Sequence, residues 1–125
     1  MSKFRDDRAR TRTELVDTAR RYASIVGERY APATVLLYGS VARGDFNLWS
    51  DIDVLVVSDA LPSHPLARSE ALYAVALPGI EPKGYTLGEY RDAVTRGLPF
   101  VRELSRHCVV LRDDLRLTEE PRPSE

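Results

Sequence analysis

The chain has 125 residues, 43% of them hydrophobic and 30% charged, which is the size and composition of one domain with its own core. Its formal net charge of −1 argues against intrinsic disorder, which goes with low hydrophobicity and a strong charge imbalance, and against nucleic-acid binding by bulk electrostatics, which needs excess positive charge. The single cysteine, Cys108, excludes an internal disulfide and a zinc site built from several thiolates, and no apolar run approaches the ~20 residues of a membrane span.

In chain order, Met1 to Arg12 is charged and lacks the apolar stretch of a signal peptide, so a cytoplasmic location is expected. Leu15, Ala19, Tyr22 and Val26 recur at intervals of 4, 3 and 4, which predicts one apolar helix face. Thr11 and Glu14 fit a capping box at its start, and Ala31-Pro32 ends it. Val35 to Tyr38 is a short continuous apolar run, the pattern of a strand buried on both faces. Gly39-Ser40 closes that strand, and Val41 to Phe46 predicts a short helix. Ile52 to Val57 is a second, β-branched strand. A helix from about Leu66 to Ala76 follows, with Leu72, Val75 and Ala76 as core candidates and Pro78-Gly79 as its stop. Ile80 to Tyr85 predicts a third strand, and Pro82 within it suggests an edge. Thr86 and Glu89 form a second capping box, opening a helix through about Arg96. Gly97-Leu98-Pro99 breaks that helix, Phe100 to Arg106 resumes it, and Cys108 to Leu111 is the last strand. The expected organisation is one domain over residues 1–117 and a flexible tail over 118–125. The fold class is α/β or α+β: a small sheet of three to four strands flanked by helices, and order alone does not separate parallel from mixed.

One stretch is chemically informative. Asp51 and Asp53 open a strand whose remaining residues are apolar, and residues two apart share a face. Two carboxylates side by side, roughly 7 Å apart at Cα, suit Mg²⁺, which takes one or two carboxylates together with substrate phosphates and water. A turn or cap would also account for Asp51. Gly39-Ser40, at the exit of the preceding strand, adds backbone amides that can approach a phosphate, and a hydroxyl donor. A bare Gly-Ser is an ordinary turn; the weight lies in the combination of strand, Gly-Ser, ten residues and Asp-x-Asp. A nucleoside triphosphate with Mg²⁺ satisfies both halves.

Gly39-Ser40-Val41-Ala42-Arg43-Gly44 followed by Ser50-Asp51-Ile52-Asp53-Val54-Leu55-Val56 resembles the signature of the DNA-polymerase-β-like nucleotidyltransferase superfamily, and within it the minimal nucleotidyltransferase branch. The resemblance implies a third carboxylate on a later strand, for which Glu81 is the candidate; Lys83 and Tyr85 would share its face, and Lys83 would meet the triphosphate. It implies two Mg²⁺ ions on Asp51, Asp53 and Glu81, with ATP as substrate. Arg43 could pair with the outgoing phosphates or bridge Asp45 on the surface.

In that branch the resemblance also implies a partner, a HEPN toxin encoded by a neighbouring gene, with the nucleotidyltransferase as antitoxin adding AMP to a partner tyrosine. Two other readings stand beside it. One is a nucleotide-binding antitoxin that acts by occlusion alone; the other is a stand-alone enzyme on RNA or a small molecule. Neither a membrane nor a nucleic-acid partner is expected, although Arg5, Arg8, Arg10 and Arg12 could form a basic patch that Asp6 and Asp7 dilute. Trp49 reads as a packing or base-stacking residue, His64 as exposed loop and Cys108 as a small core residue. Arg102 to His107 has the Arg-x4-His spacing of HEPN ribonucleases by chance, because the chain has no room for that all-helical domain.

Overall fold

The computed structural model describes residues 3–47 and 50–120, with side chains from residue 11 onward. Helix α1 spans Lys3–Tyr30, and its face of Val16, Ala19, Tyr22, Ala23 and Val26 is buried. The expected start at Thr11 is overturned: the helix already runs through that position. The preceding Arg-, Asp- and Ala-rich residues are compatible with helix, so an internal Thr-x-x-Glu has no end to cap.

Strand β1 (Thr34–Tyr38) is buried throughout and leads directly into α2 (Gly39–Arg43). This short helix begins two residues earlier than Val41, so Gly39 and Ser40 form its first turn rather than a separate turn. Strand β2 (Ile52–Val57) has the expected bounds, but Asp51 lies just before it. Helix α3 (Pro65–Ala74) ends short of the expected Ala76; Leu72 is buried, whereas Val75 and Ala76 are half-buried beside the core. Strand β3 (Ile80–Tyr85), α4 (Leu87–Arg96), α5 (Pro99–Arg106) and β4 (Val109–Asp113) follow, and a 3₁₀ turn covers Leu117–Glu119. The Thr86–Glu89 capping box is formed in both directions.

The sheet order is β3-β2-β1-β4. β1 runs antiparallel to β2 and β4, while β2 and β3 are parallel, so the sheet is mixed. Pro82 is tolerated because β3 is an edge. Ile52, Val54 and Val56 face α1 and α3, where they pack with Tyr22, Val26 and Leu72. Leu55 and Val57 face the other way, with Leu36, Tyr90 of α4 and Leu104 of α5. Covering on both faces explains why β1 and β2 read as unbroken apolar runs. No helix among the described residues is long and apolar enough to cross a membrane.

Two polar hubs lock the periphery. Arg68 is only 3% exposed, and its guanidinium donates to Pro62 O, Ser63 O, Gly84 O and the Glu89 carboxylate. It thereby joins α3 and the loop before it to β3 and α4. Asp113 accepts from the Thr34 hydroxyl and from the amides of Leu117 and Thr118, tying β4 to β1 and to the 3₁₀ turn. Thr118 also donates its hydroxyl to Asp113, and Glu120 pairs with Arg91. Residues 121–125 of the expected tail lie outside the described residues.

Replacing Arg68 by Met strips four acceptors of their donor and should cost about 2 kcal/mol or more in denaturant unfolding. Burial raises the Asp113 carboxyl, but hydrogen bonds from Thr118, Thr34 and Leu117 outweigh it and hold the pKa below the usual value. A depressed carboxyl stabilises the fold above its unfolded value of about 4 and loses that contribution as pH falls further. Asp113→Asn should therefore destabilise more at pH 7 than at pH 3, read from thermal midpoints at the two pH values.

Candidate active site at the exit of the first strand

The candidate residues are brought together by strand register. Tyr38 is the Cα partner of Asp53 across β1 and β2, and Asp53 is the partner of Glu81 across β2 and β3. The three lie in one row over three strands. Lys83 follows Glu81 by two residues on the same strand, hence on the same face. At the β1 end of the row, Gly39 has φ 76° and sits directly against the Asp53 carboxylate, where a Cβ would collide with Oδ2. Glycine is required twice here, for the left-handed backbone and for the close approach.

An open cleft of about 460 Å³ lies along this row. Its walls include Gly39, Ser40, Arg43, Asp53 and Lys83, together with Tyr38, Pro99, Phe100 and Glu103. Asp51 and Glu81 are not part of this lining; they stand just beyond Asp53, with the Glu81 carboxyl within hydrogen-bonding reach of Asp51. A neighbouring cleft of about 470 Å³ shares Lys83, but its other charged groups largely satisfy one another, Arg68 with Glu89 and Arg96 with Asp92.

Electrostatically the row is a concentration of acid. Burial raises the Asp53 carboxyl above its ordinary pKa and the charge of Asp51 adds to it, with Lys83 and Arg43 as the countervailing cations. Glu81 is raised first by its hydrogen bond with Asp51, then by burial and the charges of both aspartates. The Tyr38 phenol is pushed well up, chiefly by burial and then by Asp53. An all-oxygen carboxylate set short of counter-charge is the donor chemistry of a hard divalent cation, and the residues fit Mg²⁺ in that sense. Among the described residues, however, no group of three or more His, Cys, Asp or Glu stands ready-made around one point.

Arg43 is held on two sides, its Nε 3.2 Å from both Asp45 oxygens and its Nη1 2.6 Å from Glu103 Oε2. The Asp45 bridge weighed in the sequence is thus present, and Arg43 also lines the cleft. Arg12 of the proposed basic patch is used inside the fold, donating to the carbonyls of Val41 and Ala42. The side chains of Arg5, Arg8 and Arg10 lie outside the described residues, as does Trp49. His64 is exposed and caps α3, its Nδ1 accepting from the Leu66 amide. Exposed His107 ends α5, and half-buried Cys108 packs against the α4–α5 core.

Sequence reading missed four residues at the site. Tyr38 was read only as strand. Phe100 stacks on Tyr85 with ring centroids 5.1 Å apart and walls the cleft. Glu103 reaches the cleft from 60 residues away in sequence. Tyr73 of α3 feels the acidic row: its phenol is raised by burial and then by the charges of Glu81, Asp51 and Asp53. Only strand periodicity could have flagged one of them, Tyr38, two residues from the buried Leu36.

Comparison with known proteins identifies the class of domain that this fold belongs to. The family model described as nucleotidyltransferase domain matches residues 19–116. The chain belongs to that family. Among solved structures, it is similar to a candidate nucleotidyltransferase from Sulfolobus solfataricus, at 21% identity and a TM-score of 0.60, covering 68% of this chain and 78% of that one. It is also similar in fold to a chain of a toxin–antitoxin complex solved with AMP-PNP, at 14% identity and a TM-score of 0.55, covering 80% of this chain and 77% of that one. No curated protein matches.

Two substitutions probe the row. Gly39→Ala should cost about 2 kcal/mol, from left-handed strain and the collision with Asp53, read by denaturant unfolding. Asp53→Asn removes a repelled, half-buried charge and should raise the thermal midpoint at neutral pH without divalent cations by a few degrees.

Proposed function

We propose that this protein transfers AMP from ATP to an acceptor hydroxyl in a Mg²⁺-dependent reaction, the acceptor being a tyrosine of a HEPN-type toxin partner and the protein acting as its antitoxin. The observation that carries the transferase reading is the row Tyr38–Asp53–Glu81, with Gly39 pressed against Asp53 at one end of a cleft. The toxin–antitoxin complex of similar fold, itself solved with AMP-PNP, supports the choice of partner class and nucleotide.

In this reading Gly39 and Ser40 bind the triphosphate through backbone amide and hydroxyl, and Arg43 and Lys83 take up phosphate charge. Asp51, Asp53 and Glu81 would hold Mg²⁺. When bound, the metal would lower the pKa of the acceptor hydroxyl and offset charge on the departing pyrophosphate. Glu81 stands on the edge strand, away from Gly39, so the acceptor approaches from its side. The acceptor oxygen attacks the α-phosphorus, its proton passes to the Glu81 carboxylate, and the bond to pyrophosphate breaks. Holding the two reactants in line supplies the orientation part of the rate enhancement.

Intact mass spectrometry tests this directly. Wild-type protein with Mg²⁺, ATP and a HEPN-type partner should add one AMP per modified partner tyrosine, and other NTPs should add less. Asp53→Asn should lose the transfer by at least about 100-fold. Full transfer by Asp53→Asn would show the assigned carboxylates to be wrong. A stable complex without any mass gain would instead favour neutralisation by occlusion.

A further inference from the structure

We infer that Glu103 is a positioning residue for Arg43, holding its guanidinium over the cleft to meet the nucleotide's phosphates; the inference rests on the nucleotidyl-transfer reading above. Arg43 is the last residue of α2, and α2 is closed by Gly44, whose amide donates to Ser40 O at 2.8 Å. Its backbone is therefore set by the same turn that presents Gly39 and Ser40. A four-bond side chain leaving that turn would still sample many rotamers. Two contacts remove that freedom: Asp45 on Nε, and Glu103 on Nη1 at 2.6 Å.

Those two contacts are not equivalent. Asp45 is two residues away and 65% exposed in its side chain, so its position is no firmer than the loop that carries it. Glu103 lies on α5 between Val101 and Leu104, which are 0% and 2% exposed and anchor the helix in the core. It is thereby anchored by the core and contacts Arg43 at the cleft wall. With both partners engaged, Nη2 has no partner among the described residues and remains a free donor at the cleft wall.

A role in stability does not account for the pair. Arg43 and Glu103 are each about one-third exposed, where an ion pair contributes little. Moreover, Glu103 adds a fourth acid to a region that already holds three, and it contributes to the raised pKa of Asp53. Placing an anion beside a phosphate-binding cleft weakens phosphate binding unless that anion organises a cation. Glu103 organises Arg43.

The test is ATP binding with Mg²⁺ by titration calorimetry on the full chain, together with steady-state transfer. Glu103→Gln, close to isosteric, should weaken ATP binding and raise KM by about three- to tenfold, while kcat at saturating ATP stays within about twofold. Glu103→Asp, which keeps the charge on a shorter arm, should recover part of the loss. In an Arg43→Ala background, Glu103→Gln should have no further effect, since a positioning residue acts only through what it positions. Unchanged or tighter ATP binding by Glu103→Gln would overturn the inference and mark Glu103 as a plain repulsive charge. Equal weakening in the Arg43→Ala background would overturn it as well. If wild-type protein fails to bind ATP at all, the transfer reading falls and this inference with it; if wild type binds and Glu103→Gln does not differ, only the positioning role falls. A thermal midpoint for each variant separates these effects from misfolding.

Discussion

The contact between Gly39 and Asp53 is the constraint around which the candidate site is arranged. A carboxylate on the central part of the sheet can sit against the end of β1 only if the residue there has no side chain and a left-handed backbone. Given that contact, the antiparallel β1–β2 register places Tyr38 beside Asp53, and the parallel β2–β3 register carries the row on to Glu81. The short α2 starts at the same glycine, so the turn that makes room for Asp53 also presents Ser40 and aims Arg43. The glycine thus serves Asp53, Ser40 and Arg43 at once, while strand register adds Tyr38 and Glu81 to the row.

Such a row is electrostatically unfavourable. Three carboxylates are gathered, with Lys83 and Arg43 as the opposing cations among the described residues; burial and then the charge of Asp51 raise Asp53, and the hydrogen bond with Asp51, then burial, raises Glu81. The surrounding scaffold holds them there. The apolar faces of β2 are packed against α1 and α3 on one side and against α4 and α5 on the other, so the strand cannot shift to relieve the repulsion. Arg68 ties β3 to α3 and α4 through a buried guanidinium, and Asp113 ties the opposite edge to β1. Stability is concentrated in these hubs and in the two cores, and the charged row is where the protein spends some of it.

Much of the architecture was legible because it depends on local pattern. The unbroken apolar runs of β1 and β2, the Thr86–Glu89 box and the breaker Gly97-Leu98-Pro99 each encode an element over a few residues, and the structure has those elements. Where local signals compete, the structure departs from the local pattern. The Thr11–Glu14 box lies in a segment whose neighbours on both sides favour helix, so α1 runs through it. Ser40 and Gly39 look like a turn in isolation, yet the adjoining helix-forming residues absorb them into α2. Asp51, which the Asp-x-Asp spacing places at the mouth of that strand, lies just before it, because the ladder begins at Ile52, whose amide bonds to Gly79 O.

The sequence by itself determined the elements, the Gly-Ser and Asp-x-Asp pair, and the family they belong to, since each is carried by spacing within a few tens of residues. Tertiary structure alone decided that the sheet is mixed, that Glu81 stands beside Asp53, and that Glu103 and Phe100 line the cleft along the acidic row. The physical reason is range. Helix periodicity, capping and turns act over three to seven residues, whereas strand pairing and helix docking join positions dozens of residues apart through burial, which no local pattern specifies.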